Sequence, residues 1–190
     1  MFVVVEGIDG SGKTTLVNNL KSYFKNSLSI RSPGQTEAGN DIRDIVLSHK
    51  PLSTMSQLLL YLADMVNTYE YVIKPFDGDI IICDRWWPST YCYQYESKDQ
   101  LIRFIDLLPV PDLIIYLGID PGVAAQRIAS KNPDRFESKG ISFLQDVENR
   151  YKEVFSLPLL DQKVVTISGY DPEEVVLNNA ITAIENYKAF

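Results

Sequence analysis

Eight residues near the start of the chain, Gly7-Ile8-Asp9-Gly10-Ser11-Gly12-Lys13-Thr14, constrain the fold more than any other stretch. They follow a short apolar run at 2–6 and open a helix-period segment at 13–25. A strand that passes through a glycine-rich turn into a helix makes a cradle for phosphate. Small residues let backbone N–H groups curl around the anion, and the helix N-terminus adds partial positive charge. In this pattern Lys13 is expected to bridge the β- and γ-phosphates of a nucleotide, and the Thr14 hydroxyl to ligate Mg²⁺. A plain glycine-rich turn is the simpler alternative, but the order strand, loop, helix is the one the chemistry requires.

The remaining chain repeats the alternation. Short β-branched runs at 28–31, 80–83, 113–118 and 164–167 read as buried strands, and segments 53–73, 100–108, 123–130 and 142–155 read as helices. A last helix is expected to start with Asp171 as its cap, Pro172 in its first turn and Glu174 closing a capping box. Strand alternating with helix predicts an α/β architecture, a parallel five-stranded sheet with helices on both faces. With no linker-like tract in 190 residues, one domain spanning 1–190 is expected, of the P-loop NTPase fold.

Charge narrows the function. Eighteen Lys and Arg against 25 Asp and Glu give a formal charge of −7, which argues against broad electrostatic binding of nucleic acid. Phosphate must therefore be met by a local cluster of donors. Cys83 and Cys92 are too few for a disulfide framework and suit a reducing cytosol. No apolar run reaches membrane-spanning length, and Val3-Val4-Val5 carries no basic flank of the kind a signal peptide shows. A cytoplasmic protein acting on small molecules, with neither nucleic acid nor membrane as a partner, is expected.

A second carboxylate is needed near the metal, and Asp84 ends the run at 80–83, followed at once by Arg85. Alone, the pair would read as a surface ion pair; beside a phosphate loop, the functional reading is stronger. No Asn-Lys-x-Asp stretch points to guanine, and the chain lacks room for the added domains of a motor. A kinase needs cations around the transferred phosphoryl group and a means of excluding water. Arg127, Lys131 and Arg135 are spaced by four, but Pro133 interrupts a continuous helix. A short lid over about 127–140, with basic residues at its base, is the expectation.

On these residues the chain resembles the thymidylate kinases. Val5-Glu6-Gly7-Ile8-Asp9-Gly10-Ser11-Gly12-Lys13-Thr14-Thr15 is similar to that family's loop, and Asp84-Arg85 with Ser89-Thr90-Tyr91-Cys92-Tyr93-Gln94 resembles its second motif. Arg31-Ser32-Pro33-Gly34 matches most of a family Arg-Glu-Pro-Gly stretch, and the likeness extends through Asp134-Arg135-Phe136-Glu137 to Tyr151. The resemblance implies ATP and Mg²⁺ as cofactors, transfer of the γ-phosphate to dTMP, and a homodimer. It also implies roles. Gly7, Asp9, Gly10, Ser11, Gly12, Lys13, Thr14 and Thr15 would meet the nucleotide, and Thr14 and Asp84 the metal. Asp9 would hold the deoxyribose 3′-hydroxyl; Arg43 and Arg85 would grip the acceptor monophosphate, as their guanidinium forks suit. Thr90 and Gln94 would meet the pyrimidine edge, Tyr93 would crowd C2′, and Tyr61 would stack on the base. Gly10 stands where some members carry a loop Arg, so the lid residues Arg127, Lys131 and Arg135 would supply the catalytic cation, as in bacterial-type members.

Two departures stand out. Ser32 replaces the family Glu, and Met65 replaces an Arg that normally donates to the base O4. A thioether cannot donate, and a charged donor contact is worth about 1.5–3 kcal/mol. Either a substitute donor serves thymine, or the preferred acceptor is another or a 5-modified pyrimidine deoxynucleotide. Two further rivals are a deoxynucleoside kinase, with Glu6 the one nearby base for an uncharged hydroxyl, and a non-catalytic nucleotide binder. The sole His49 reads as capping or exposed, and Trp86 and Trp87 as wall and core.

Overall fold

A computed structural model describes residues 1–94, 105–128 and 139–189. Its five strands, β1 (Phe2–Glu6), β2 (Ser27–Arg31), β3 (Ile80–Asp84), β4 (Leu113–Gly118) and β5 (Val164–Ser168), pair in the order β2-β3-β1-β4-β5, and every pair is parallel. The expected α/β sheet is therefore present, with each strand within a residue of its predicted bounds. Among the described residues seven α-helices surround it: α1 (Lys13–Tyr23), α2 (Glu37–Leu47), α3 (Thr54–Thr68), α4 (Trp87–Tyr93), α5 (Pro121–Ile128), α6 (Ile141–Phe155) and α7 (Glu173–Lys188).

Because successive strand side chains point to opposite faces, the sheet divides the core in two. Val3, Val5, Ile80, Ile82, Leu113, Ile115 and Leu117 pack with Leu16, Val17 and Leu20 of α1 and with Val176, Ala180, Ile181 and Ile184 of α7. The opposite face, with Phe2, Val4, Ile81, Cys83, Ile114 and Tyr116, is covered by α3, α4 and α6. Fully burying one such aliphatic side chain contributes about 1.5–3 kcal/mol, so the period-2 strands and period-3.6 helix stripes specify the layers together.

Several helices differ from expectation, each for a physical reason. The segment read as one helix over 53–73 is α3, capped by the Ser53 hydroxyl, followed by a π-helical turn at Tyr69–Ile73 in which Lys74 N–H reaches Tyr69 O, five residues back. The wider turn advances the apolar stripe by one residue, so Ile73 is buried and Val72 only half-buried. α2 is not among the expected helices, although Ala38, Ile42, Ile45 and Val46 recur at helical spacing; Gly39 and Val46 are its only buried residues, and the Thr36 hydroxyl caps it. α4 contains Pro88 and weak helix formers, yet all of Trp87, Pro88, Ser89, Thr90, Tyr91 and Cys92 are buried, so tertiary packing overrides propensity. The capping box expected for α7 is absent. Pro172 takes extended backbone and is itself the cap, no side chain caps the helix, and Asp171 instead borders the cleft described below. The expected helix at 100–108 lies mostly outside the described residues, as does the lid over about 127–140 apart from its two ends.

Candidate functional site

The carboxyl ends of β1 and β3 meet the N-terminus of α1. Gly12 closes the loop at φ 100°, a left-handed conformation that places α1's first N–H groups around the turn. Lys13 folds back across this loop; its Nζ donates to Ile8 O (2.7 Å) and to Ser11 Oγ (3.4 Å). Burial, reinforced by the nearby Arg85 charge and only partly offset by Asp9, Asp84 and Glu6, lowers its pKa to about 8. Thr14 Oγ1 donates to Asp84 Oδ2 at 2.7 Å, so the sequence-separated pair is in contact. Among the described residues no group of three or more His, Cys, Asp or Glu could hold a metal unaided. A hydroxyl and one carboxylate are nonetheless hard oxygen donors of the kind Mg²⁺ accepts when phosphates and water complete its shell.

A cleft of about 580 Å³ opens above the loop, bordered by Lys13, Thr14, Asp84, Arg127, Gly169 and Asp171 among others. A second pocket adjoins it beneath α4, walled by Tyr61, Thr90, Tyr93 and Gln94. Asp9, Ser32, Arg43 and Arg85 border both.

Arg85 lies at the junction. Its backbone is left-handed (φ 70°), which turns the chain sharply from β3 towards α4. Nη2 forms a salt bridge with Asp9 Oδ1, and Tyr93 OH donates to Asp9 Oδ2 at 2.9 Å. Burial alone would raise the Asp9 pKa, but the Arg85 and Lys13 charges and the Tyr93 and Arg85 hydrogen bonds hold it below the usual carboxylate value. Arg43 Nη1 donates to Pro33 O at 3.0 Å.

The wall of this second pocket holds one orphan among the described residues. Gln94 is 4% exposed, and its Nε2 has no hydrogen-bond partner among the described residues. A buried amide left without an acceptor costs about 1–3 kcal/mol, which a ligand carbonyl would offset.

Two candidates sit differently from their sequence reading. Met65 does not border the pocket; it is fully buried in the core beside α4. α3 turns this position into the hydrophobic layer, where an apolar thioether packs well. Arg127 does border the cleft, but its guanidinium donates to Gly169 O (3.1 Å from both Nη atoms) and to Gly10 O (3.3 Å). It thus ties α5 to the loop. The same approach explains Gly10, where a Cβ would come within 2.6 Å of Ala124 O. Lys131 and Arg135 fall outside the described residues. His49 is exposed just beyond α2, while Trp86 and Trp87 are buried, as expected.

Three buried polar residues were not singled out as site components. Glu6, the charged end of an apolar strand, accepts from Trp86 N (2.9 Å), Ser89 N (3.3 Å), Ser89 Oγ and Tyr151 OH (2.8 Å). Asp64 accepts from Ser32 Oγ (3.2 Å) and Gly34 N (3.1 Å), and burial raises its pKa despite those bonds and the Arg43 charge. Its sequence signal is a carboxylate three residues after Tyr61, on the buried stripe of α3. Ser89 carried no signal beyond its motif.

A phosphate loop at the carboxyl edge of a parallel sheet, with a lysine, a hydroxyl and a strand-end carboxylate converging, defines a P-loop nucleotide-binding protein. The family-level comparison is more specific. The sequence pattern of the thymidylate kinases matches residues 5–180. The chain is 36% identical over 171 residues to the thymidylate kinase of Thermosipho africanus, covering 83% of this chain and 85% of that protein. It is 32% identical over 180 residues to the thymidylate kinase of Campylobacter jejuni subsp. doylei, covering 92% and 93%. The chain belongs to the thymidylate kinase family. The crystal structure of the thymidylate kinase of Ehrlichia chaffeensis shares its fold, with a TM-score of 0.79 at 23% identity over 97% of this chain and 98% of that one.

Proposed function

We propose that the protein transfers the γ-phosphate of MgATP to dTMP, giving dTDP. The observation that carries this reading is the shared wall of Asp9, Ser32, Arg43 and Arg85 between the loop cleft and the α4 pocket. A phosphoryl group bound at the loop and an acceptor bound beneath α4 would meet there.

The acceptor monophosphate is anionic at neutral pH and already a nucleophile, so the chain need only position it and stabilise the shifting charge. Arg43 and Arg85 would orient its oxygen for in-line attack. Lys13 and the loop amides of Gly10, Ser11 and Gly12 would hold the donor's β- and γ-phosphates, with Asp9 on the 3′-hydroxyl. Thr14 and Asp84 would hold Mg²⁺, which neutralises phosphate charge when bound. Lys131 and Arg135 would supply the remaining cations on lid closure, with Arg127 bracing α5 over the loop.

Thymine, with its 4-oxo group, is favoured over cytosine by Gln94. Its unpartnered Nε2 offers the donor that Met65 cannot, so the pocket has a substitute for the family Arg. Phosphorylation of an uncharged nucleoside is disfavoured because Glu6, its one candidate base, is fully buried and already accepts four hydrogen bonds. An idle binder is disfavoured by the intact Lys13, Thr14 and Asp84. Two buried free thiols support a reducing, cytoplasmic setting; among the described residues no helix is long and apolar enough to cross a membrane. For the homodimer, exposed Leu59, Val66, Tyr71 and Leu107 form an apolar groove along α3 that a second copy would cover.

The test is ADP release from MgATP across dTMP, dUMP, dCMP, 5-hydroxymethyl-dUMP, purine monophosphates and thymidine. Fast turnover with dTMP is expected. Preference for another monophosphate would reassign the acceptor, turnover of thymidine alone would indicate a nucleoside kinase, and silence would leave only nucleotide binding.

A further inference from the structure

Glu6 is fully buried, and the reaction as described does not use it. Its surroundings are organised around one guanidinium. Oε1 accepts from two backbone N–H groups, Trp86 N and Ser89 N, which lie immediately after the left-handed Arg85. Oε2 accepts from two hydroxyls, Ser89 Oγ and Tyr151 OH. Those same hydroxyl oxygens receive Arg85 Nη1, at 2.9 Å and 3.4 Å, and the third acceptor of Nη1 is Gly7 O at 3.1 Å.

A hydroxyl has one hydrogen to give. The two hydroxyls also lie 2.8 Å from each other, so at least one hydrogen goes to the carboxylate, which only accepts, and the other goes to it or to the neighbouring hydroxyl; either way Ser89 and Tyr151 turn lone pairs towards Arg85. The carboxylate therefore dictates the polarity of the whole cluster, while its backbone bonds hold the turn from which Arg85 projects. The consequence falls on the other edge of the guanidinium. With Nη1 anchored inward and Nη2 against Asp9, Nε–H makes no hydrogen bond among the described residues, and the side chain so held borders both cavities.

We propose that Glu6 is a positioning residue for the acceptor phosphate: through Ser89 and Tyr151 it sets the orientation of the Arg85 guanidinium. The inference rests on the acceptor-gripping role of Arg85. Burial pushes the Glu6 pKa up, against the Arg85 charge and the Ser89, Trp86 and Tyr151 hydrogen bonds that favour its ionised form. The same contacts make the cluster a link between the two sites, because Gly7 is the first residue of the phosphate loop.

The experiment compares steady-state kinetics of Glu6→Gln, Tyr151→Phe and Arg85→Ala, with folding followed by thermal unfolding. Glu6→Gln keeps the shape but puts an amide N–H₂ where Oε2 accepted, which reverses the hydroxyls; Tyr151→Phe removes one of them with less risk to folding. Loss of a hydrogen bond to a charged group is worth roughly 10- to 100-fold in binding. The expected result is that the monophosphate KM rises about tenfold or more in Glu6→Gln and by a smaller factor in Tyr151→Phe, with the MgATP KM little changed. Equal rises in both KM values, or a fall in kcat alone, in a folded variant would overturn the positioning role. Should Glu6→Gln not fold, an unchanged monophosphate KM in Tyr151→Phe overturns it. If Arg85→Ala itself leaves the monophosphate KM unchanged, the acceptor-site reading fails; if Arg85→Ala raises it and the other two do not, only the role of Glu6 fails.

Discussion

Nucleotide binding should draw a proton onto Lys13. In the ligand-free cleft its ammonium is enclosed by the loop and repelled by Arg85, so its pKa is about 8 rather than 10.5. A group with that pKa is about nine-tenths charged at pH 7, half charged at pH 8 and one-tenth charged at pH 9. Nucleotide phosphates restore a strong anionic neighbour and favour the charged form. If only the ammonium form binds, nucleotide affinity falls about tenfold from pH 7 to pH 9, or about 1.4 kcal/mol. At pH 8, binding takes up about half a proton. Calorimetry at pH 8 in two buffers of different ionisation enthalpy reads that uptake directly. The reference is Lys13→Arg, whose guanidinium stays charged over the whole range and so subtracts the nucleotide's own ionisation. Equal proton uptake by wild type and Lys13→Arg, or equal pH dependence of their affinities, would refute the reasoning.

The sheet was legible because its cause is local and repetitive. Each strand is a short β-branched run bounded by turn residues, and its alternation matches the two apolar layers, packed under α1 and α7 on one face and under α3, α4 and α6 on the other. Helices whose stability comes from elsewhere were not. α4 carries Pro88, with Trp86 as its cap and Trp87 as its first residue, and it is helical because Trp87 to Cys92 are buried against the rest of the fold. α2 is short and buries only Gly39 and Val46, and its start depends on the Thr36 side chain accepting from Gly39 N. The π turn after α3 is a shift of one residue in a stripe that reads equally well as continuous helix.

The site divides along the same line. Residues whose chemistry depends on spacing, such as Lys13 and Thr14, could be read directly from the loop. Bringing Asp84 to Thr14 needed only the parallel pairing of β1 with β3, which sets Val5 beside Asp84. The buried carboxylates were harder. Glu6 and Asp64 look like ordinary charges in sequence, and their meaning comes from donors contributed by segments about 30 to 145 residues away. Met65 shows the opposite failure. A family position was carried over as a pocket residue, whereas the helix phase directs this side chain into the core.

Two substitutions extend these arguments. Asp84→Asn removes the one carboxylate beside Thr14 while keeping its shape, so the Mg²⁺ concentration giving half-maximal turnover should rise about tenfold or more, the scale of a lost charged contact; an unchanged Mg²⁺ dependence would remove Asp84 from the metal site. Met65→Leu separates a core role from a base-selecting one. The two side chains are close in volume, and such swaps usually cost less than about 1.5 kcal/mol. Because Met65 packs away from the pocket, the ratio of kcat/KM for dTMP to that for dCMP should stay within about twofold of wild type, below the scale of a single hydrogen bond. Gln94→Leu is the matched contrast, since it removes the one unpartnered donor among the described residues of the pocket wall and should lower kcat/KM for dTMP, whose O4 accepts, more than for dCMP, which carries an amino group there. A change of base ratio in Met65→Leu, with Gln94→Leu silent, would return the selecting role to position 65 and remove it from Gln94.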